Sequence, residues 1–75
     1  MDKITVSVYF DGMENTRQYP AGTILRDFAY RFLEENLLDD GCFVEINGQN
    51  MTNHIDYVLQ DNDRIIVHPM ILSGG

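Results

Sequence analysis

The sequence of 75 residues has little basic charge. It holds five lysines and arginines (Lys3, Arg17, Arg26, Arg31 and Arg64) against twelve acidic residues, a formal net charge of -7. None of the five is adjacent to another, so there is no basic stripe for nucleic acid or an anionic membrane, and neither is expected as a partner. There is one cysteine, Cys42, so no disulfide can form within the chain. Tryptophan is absent, there are two prolines, and no apolar run approaches the roughly 20 residues of a membrane span. Asp2 and Lys3 lead directly into an alternating run with no apolar leader, so a reducing cytoplasm is the expected compartment.

The sequence does carry hydrophobic residues, at 44%, with four tyrosines and four phenylalanines. That is the composition of one folded domain rather than a disordered segment. A chain this short buries only about 60% of its unfolded surface, so its core is small.

Lys3 to Phe10 alternates, with Ile4, Val6, Val8 and Phe10 on one face, as a strand with one buried side does. Asp11-Gly12 is a hairpin turn signal, and Glu14 to Tyr19 is a second, more polar strand. Pro20-Ala21-Gly22 breaks that strand. Thr23 is the expected N-cap of a helix from Ile24 to about Asn36, without a full capping box. Leu25, Phe28, Ala29, Phe32 and Leu33 give the helix one apolar face. Asp39-Asp40-Gly41 ends it, with Gly41 as terminator.

Cys42 to Asn47 is a third strand, with Cys42, Val44 and Ile46 on one face and Phe43 and Glu45 on the other. Asn47-Gly48 is a second hairpin signal before a short return strand over Gln49 to Met51. Thr52 to Leu59 reads as an irregular connection with one helical turn, and Asp61-Asn62-Asp63 as a polar turn. Arg64 to Met70 is the last strand, and its pairing should weaken at Pro69, which cannot donate.

This order predicts an α+β fold, a mixed four- to five-stranded sheet packed on one main helix. The first and last strands are the most apolar and belong side by side in the centre, parallel. Residues 1–70 form that domain, and 71–75 are a flexible tail.

The sequence ends Met70-Ile71-Leu72-Ser73-Gly74-Gly75. Two glycines without Cβ atoms suit a narrow channel and make poor core material. With this tail, the chain resembles the ubiquitin-like β-grasp sulfur-carrier proteins of thiamine and molybdopterin synthesis. Three stretches carry the resemblance. They are YPAGTILRDF (Tyr19 to Phe28), LQDNDRIIVHPM (Leu59 to Met70) and the terminal SGG (Ser73 to Gly75). Asn62 stands where such proteins commonly have Gly. No arginine follows Arg64, unlike the tails of ubiquitin-type modifiers.

The resemblance implies a protein that is not itself an enzyme. The Gly75 carboxylate would be adenylated by an ATP-dependent activating enzyme. It would then become a thiocarboxylate and donate its sulfur to a biosynthetic enzyme. ATP and Mg²⁺ would belong to the partner, with no cofactor bound to the carrier. Gly74 and Ser73 would supply clearance, and Met70 to Gly75 a reach of about 20 Å.

Met70, Ile71 and Leu72 either finish the core or dock the partner, with Tyr30 and Phe43 as further docking candidates. No catalytic or metal-ligand spacing involves Cys42, His54 or His68, which read as structural residues. Glu34-Glu35 and Asp39-Asp40 read as a solvated helix end or part of a docking surface. The alternatives are a ubiquitin-like modifier joined to lysines through Gly75, and a non-covalent β-grasp binding module of the threonyl-tRNA synthetase type.

Overall fold

Two Asx-Gly turns set the strand pairing. Asp11 and Gly12 have φ of 54° and 76°, and Asn47 and Gly48 have φ of 53° and 82°. Positive φ at both central residues makes the tight turn whose twist matches a two-stranded ribbon. In the computed structural model, which describes residues 2–36 and 41–69, these turns join β1 (Lys3–Phe10) to β2 (Met13–Pro20) and β3 (Cys42–Ile46) to β4 (Gln49–Asn50). The helix α1 covers Leu25–Glu35, and β5 covers Arg64–Pro69.

The sheet order is β2-β1-β5-β3-β4. β1 and β5 lie parallel at its centre, with Val8 beside Ile65 and Tyr9 beside Ile66. This is the arrangement that the two most apolar strands predict. β3 runs antiparallel to β5 from Ile46–Ile65 to Cys42–Pro69, so the ladder continues through the proline on this side.

Period-2 alternation places Ile4, Val6 and Val8 on one sheet face with Val44, Ile46, Ile65 and Val67, all buried. The helix lays Leu25, Phe28 and Phe32 onto that face. Phe32 meets Phe10 edge to face at 5.0 Å, and Phe28 meets Tyr19 at 5.7 Å. Cys42 is half-buried against this core, and burial pushes its thiol pKa up.

Several expectations need correction. Thr23 does not cap the helix. Its hydroxyl donates to the Pro20 carbonyl at 2.7 Å, and the position before the helix is Ile24, which makes no side-chain cap bond. The first helical amides are satisfied by a distant segment instead. Leu25 N–H donates to the Tyr57 carbonyl at 2.8 Å, and Arg26 N–H to the Ile55 carbonyl at 3.0 Å. Residues 52–59 hold this position through successive turns rather than a helical turn. The return strand stops at Asn50: the Met51 amide still bonds the Val44 carbonyl in register, but the Val44 amide donates to Thr52 Oγ1 at 2.9 Å instead of to the Met51 carbonyl. Glu34 and Glu35 are exposed, as a solvated helix end is, and Glu35 also pairs with Arg17 at 3.1 Å. Asp39-Asp40 and the tail from Met70 to Gly75 lie outside the described residues.

Asp63 is the largest departure, because it is not part of an exposed turn. It is 4% exposed and is the buried charged residue of the described core. Its carboxylate accepts three bonds of 2.8 Å, from Asn47 Nδ2, the Tyr57 hydroxyl and the Gln60 amide. Asn47 Oδ1 in turn accepts from the Arg64 amide at 2.9 Å. One buried acid therefore ties the β3–β4 turn, the 52–60 segment and the start of β5 together.

Asp63→Ala leaves those donors without an acceptor. It is expected to destabilise the domain by about 2 kcal/mol in urea unfolding, as loss of the shared acceptor of three part-buried donors would. Tyr57 gives a pH test. Burial, then the bond to Asp63, raises the pKa of its hydroxyl above the ordinary tyrosine value. The folded state therefore favours the protonated hydroxyl, and the stability this adds is full below about pH 10 and is lost as pH rises through the raised value. Tyr57→Phe should cost about 1 kcal/mol at neutral pH. In unfolding curves from pH 7 to 11, the gap from the parent should narrow above about pH 10.

Candidate docking face of the sheet

The core uses one face of the sheet, so alternate residues must point the other way. Tyr9 on β1, Ile66 and His68 on β5, and Phe43 and Glu45 on β3 all turn away from the helix, opposite the buried Val8, Ile65, Val67 and Val44. The ladders bring them together. Tyr9 neighbours Ile66, Ile66 neighbours Glu45, and Phe43 neighbours His68. Tyr9 is 44% exposed and Phe43 48%, so this is an uncovered apolar strip running diagonally across three strands.

Polar groups border the strip. His68 Nε2 lies 3.2 Å from Glu45 Oε1, and both side chains are well exposed. A shallow cleft of about 240 Å³ opens between Tyr9, Glu14, Arg64 and Ile66. The Phe43–His68 pair sits at the C-terminal end of β5, where the chain leads on to residue 70.

The two docking candidates with described side chains therefore separate. Phe43 lies on this open face, beside the strand that leads to the tail. Tyr30 is 68% exposed on α1, which covers the opposite face. Ile66, Tyr9 and His68 complete the strip. Alternation could have found them, because Ile66 is apolar at a position out of phase with the buried Ile65 and Val67. Among the described residues, no group of three His, Cys, Asp or Glu side chains is placed to hold a metal ion.

No family model matches the sequence, and no curated protein matches it. Solved structures do match. An N-terminal ubiquitin-like domain superposes with a TM-score of 0.77 at 16% identity, covering 99% of this chain and 81% of that one. The putative molybdopterin converting factor, subunit 1, from Pyrococcus furiosus superposes with a TM-score of 0.70 at 20% identity, covering 91% of this chain and 99% of that one. The HVO 2177 protein of Haloferax volcanii gives 0.71 at 17% identity, covering 99% of this chain and 89% of that one.

This chain has the ubiquitin-like β-grasp fold, in its α+β form with one helix on a five-stranded mixed sheet. A molybdopterin converting factor subunit stands among the structures that share the fold.

The open strip can be tested apart from the tail. Ile66→Asp puts a charge at its centre, on a half-buried side chain pointing away from the core. Unfolding stability should fall by about 1–2 kcal/mol, because Asp is a poor strand residue and part of the Ile66 side chain is buried, while binding of any protein that docks on this face, measured by calorimetry, should be lost.

Proposed function

We propose that the chain is a sulfur carrier whose working group is the Gly75 carboxylate. The observation that carries this reading is the position of β5. The strand leading to Gly74-Gly75 is the central strand, held between β1 and β3, so the tail starts from a fixed point beside the Tyr9–Ile66–Phe43 strip. A docked enzyme that gripped the strip would have the tail within reach. The likeness to a molybdopterin converting factor subunit, over nearly all of that protein, supports the same reading.

An α-carboxylate has a pKa of about 3.5, so it is ionised and nucleophilic at neutral pH. Its oxygen attacks the α-phosphorus of ATP and pyrophosphate leaves. Hydrosulfide supplied by the partner then displaces AMP from the acyl carbon and loses its proton. Where the partner offers a persulfide instead, the first product is an acyl disulfide, and a second thiol of the partner cleaves its S–S bond, taking up the partner sulfur as a disulfide. The product is a thiocarboxylate, which hands its sulfur to a biosynthetic enzyme of the thiamine-thiazole or molybdopterin type. ATP and Mg²⁺ act in the activating enzyme, and this chain contributes the acyl group, its glycine clearance and the docking face. Met70, Ile71, Leu72 and Ser73 span the distance between them.

Intact-mass spectrometry tests the proposal. Protein made with its own activating enzyme should gain the mass difference of one oxygen replaced by one sulfur, and deletion of Gly74-Gly75 should abolish the shift. An unchanged mass, with biological activity surviving the deletion, rejects it. A reductant-resistant adduct to a lysine of another protein would instead make the chain a modifier.

A further inference from the structure

Lys3 is the only lysine of the sequence, and the other four basic residues are arginines. It stands at the end of the sheet farthest from the tail. Tyr9 lies beside Ile66 in the parallel pair, so Lys3 is six residues below that rung and Pro69 three residues above it. Nine rungs separate them, about 30 Å at about 3.3 Å per residue. Residues 70–75 extend to about 20 Å at most. The shortfall exceeds the length of a lysine side chain, so Gly75 cannot meet the Lys3 amine of its own chain. The sheet's cations nearer the tail are arginines, Arg17 opposite Val6 and Arg64 opposite Ser7. A guanidinium stays protonated at neutral pH and does not attack an acyl carbon.

Cys42 is the opposite case. It pairs with Pro69, at the root of the tail and well within its reach. Its side chain shares the inward face of β3 with Val44 and Ile46, half-buried against the core. Burial raises the thiol pKa, which leaves less of the attacking thiolate. His68 is exposed near the same end. An acyl group on an imidazole stays activated, however, and passes on to sulfur.

We propose that the fold selects the acceptor of the activated Gly75 acyl group by withholding the chain's own nucleophiles, Lys3 by distance and Cys42 by an inward-facing side chain. This rests on the sulfur-carrier reading. An amine within reach would attack the acyl carbon of the adenylate. A C–N bond would form, the bond to the AMP oxygen would break, and AMP would leave with the electron pair while the amine proton passed to water. The resulting amide is stable, so each such event would consume a carrier. With the amine out of reach and the thiol turned inward, the acyl group is kept for sulfur from outside the chain.

The probe is the full chain with a mercaptoethanesulfonate thioester in place of the Gly75 carboxylate, held at micromolar concentration and pH 8 and followed by intact mass. The thioester is installed without an activating enzyme, so the outcome is read apart from the mass test of the carrier itself. The parent should hydrolyse to the free acid at the same rate as Lys3→Arg. Met13→Lys and Glu14→Lys put an amine at exposed positions of the β1–β2 hairpin, one on each face, two strands or about 10 Å from β5. Both should lose the thioester at least about tenfold faster, as an intramolecular amine does. Their product should be lighter than the acid by one water and cross-linked to Gly75. In urea the parent should form a product of that lighter mass that hydroxylamine cleaves, and Cys42→Ser should not. A lighter product from the folded parent, lysine variants no faster than the parent, or no capture by Cys42 in urea would each overturn the proposal.

Discussion

The fold depends on one buried carboxylate. Asp63, at the start of β5, takes donors from two other parts of the chain, Asn47 in the β3–β4 turn and Tyr57 and Gln60 in the 52–60 segment. An apolar residue there would leave the part-buried bonds from the Tyr57 hydroxyl and the Asn47 amide group without their acceptor, at a cost in free energy. The next turn residues extend the same junction. Asp61 Oδ1 accepts from the Thr5 amide at 2.7 Å, and the Asn62 amide donates to the Thr5 carbonyl at 2.7 Å. Asn62 holds φ of 70°, a conformation that asparagine tolerates better than most residues, so the turn does without glycine. The acid-rich turn therefore docks on β1 just as β5 enters the sheet beside it, which sets the parallel register of the two central strands.

The same segment governs the helix. An isolated helix of eleven residues is marginal in water. Here the first-turn amides are met by carbonyls of residues 55 and 57, and Val58 bridges to Ile24. The helix begins where the 52–60 segment lets it begin. Arg17 adds a clasp from the edge strand, stacking 5.4 Å above Phe32 while pairing with Glu35. That ion pair is exposed and contributes at most about 1 kcal/mol. Its greater effect is to keep the polar strand β2 aligned with the helix it otherwise barely covers.

Local signals were legible and long-range ones were not. Alternation in Lys3–Phe10 and Arg64–Pro69, the Asx-Gly turns, and the Leu25, Phe28, Phe32 spacing each state a local preference, and the structure follows them. Thr23 and Asp63 misled because their partners lie elsewhere in the chain. A threonine before a helix reads as a cap until a loop more than thirty residues away supplies the carbonyls. An aspartate in a run of Asp and Asn reads as solvated until a tyrosine and an asparagine fold over it. The open face was half legible. Alternation marks Phe43, Tyr9, Ile66 and His68 each as facing away from the core, but that they lie side by side follows only from the strand order.

The position of β5 has a mechanical side. Its hydrogen bonds to β1 and β3 run across the strand, while a tail beginning after Pro69 would transmit any pull along it. A pull along the axis of β5 therefore loads both ladders in shear, with many bonds sharing the strain together. An edge strand pulled outward would lose its bonds one at a time. β5, drawn along its own axis, holds by two ladders at once.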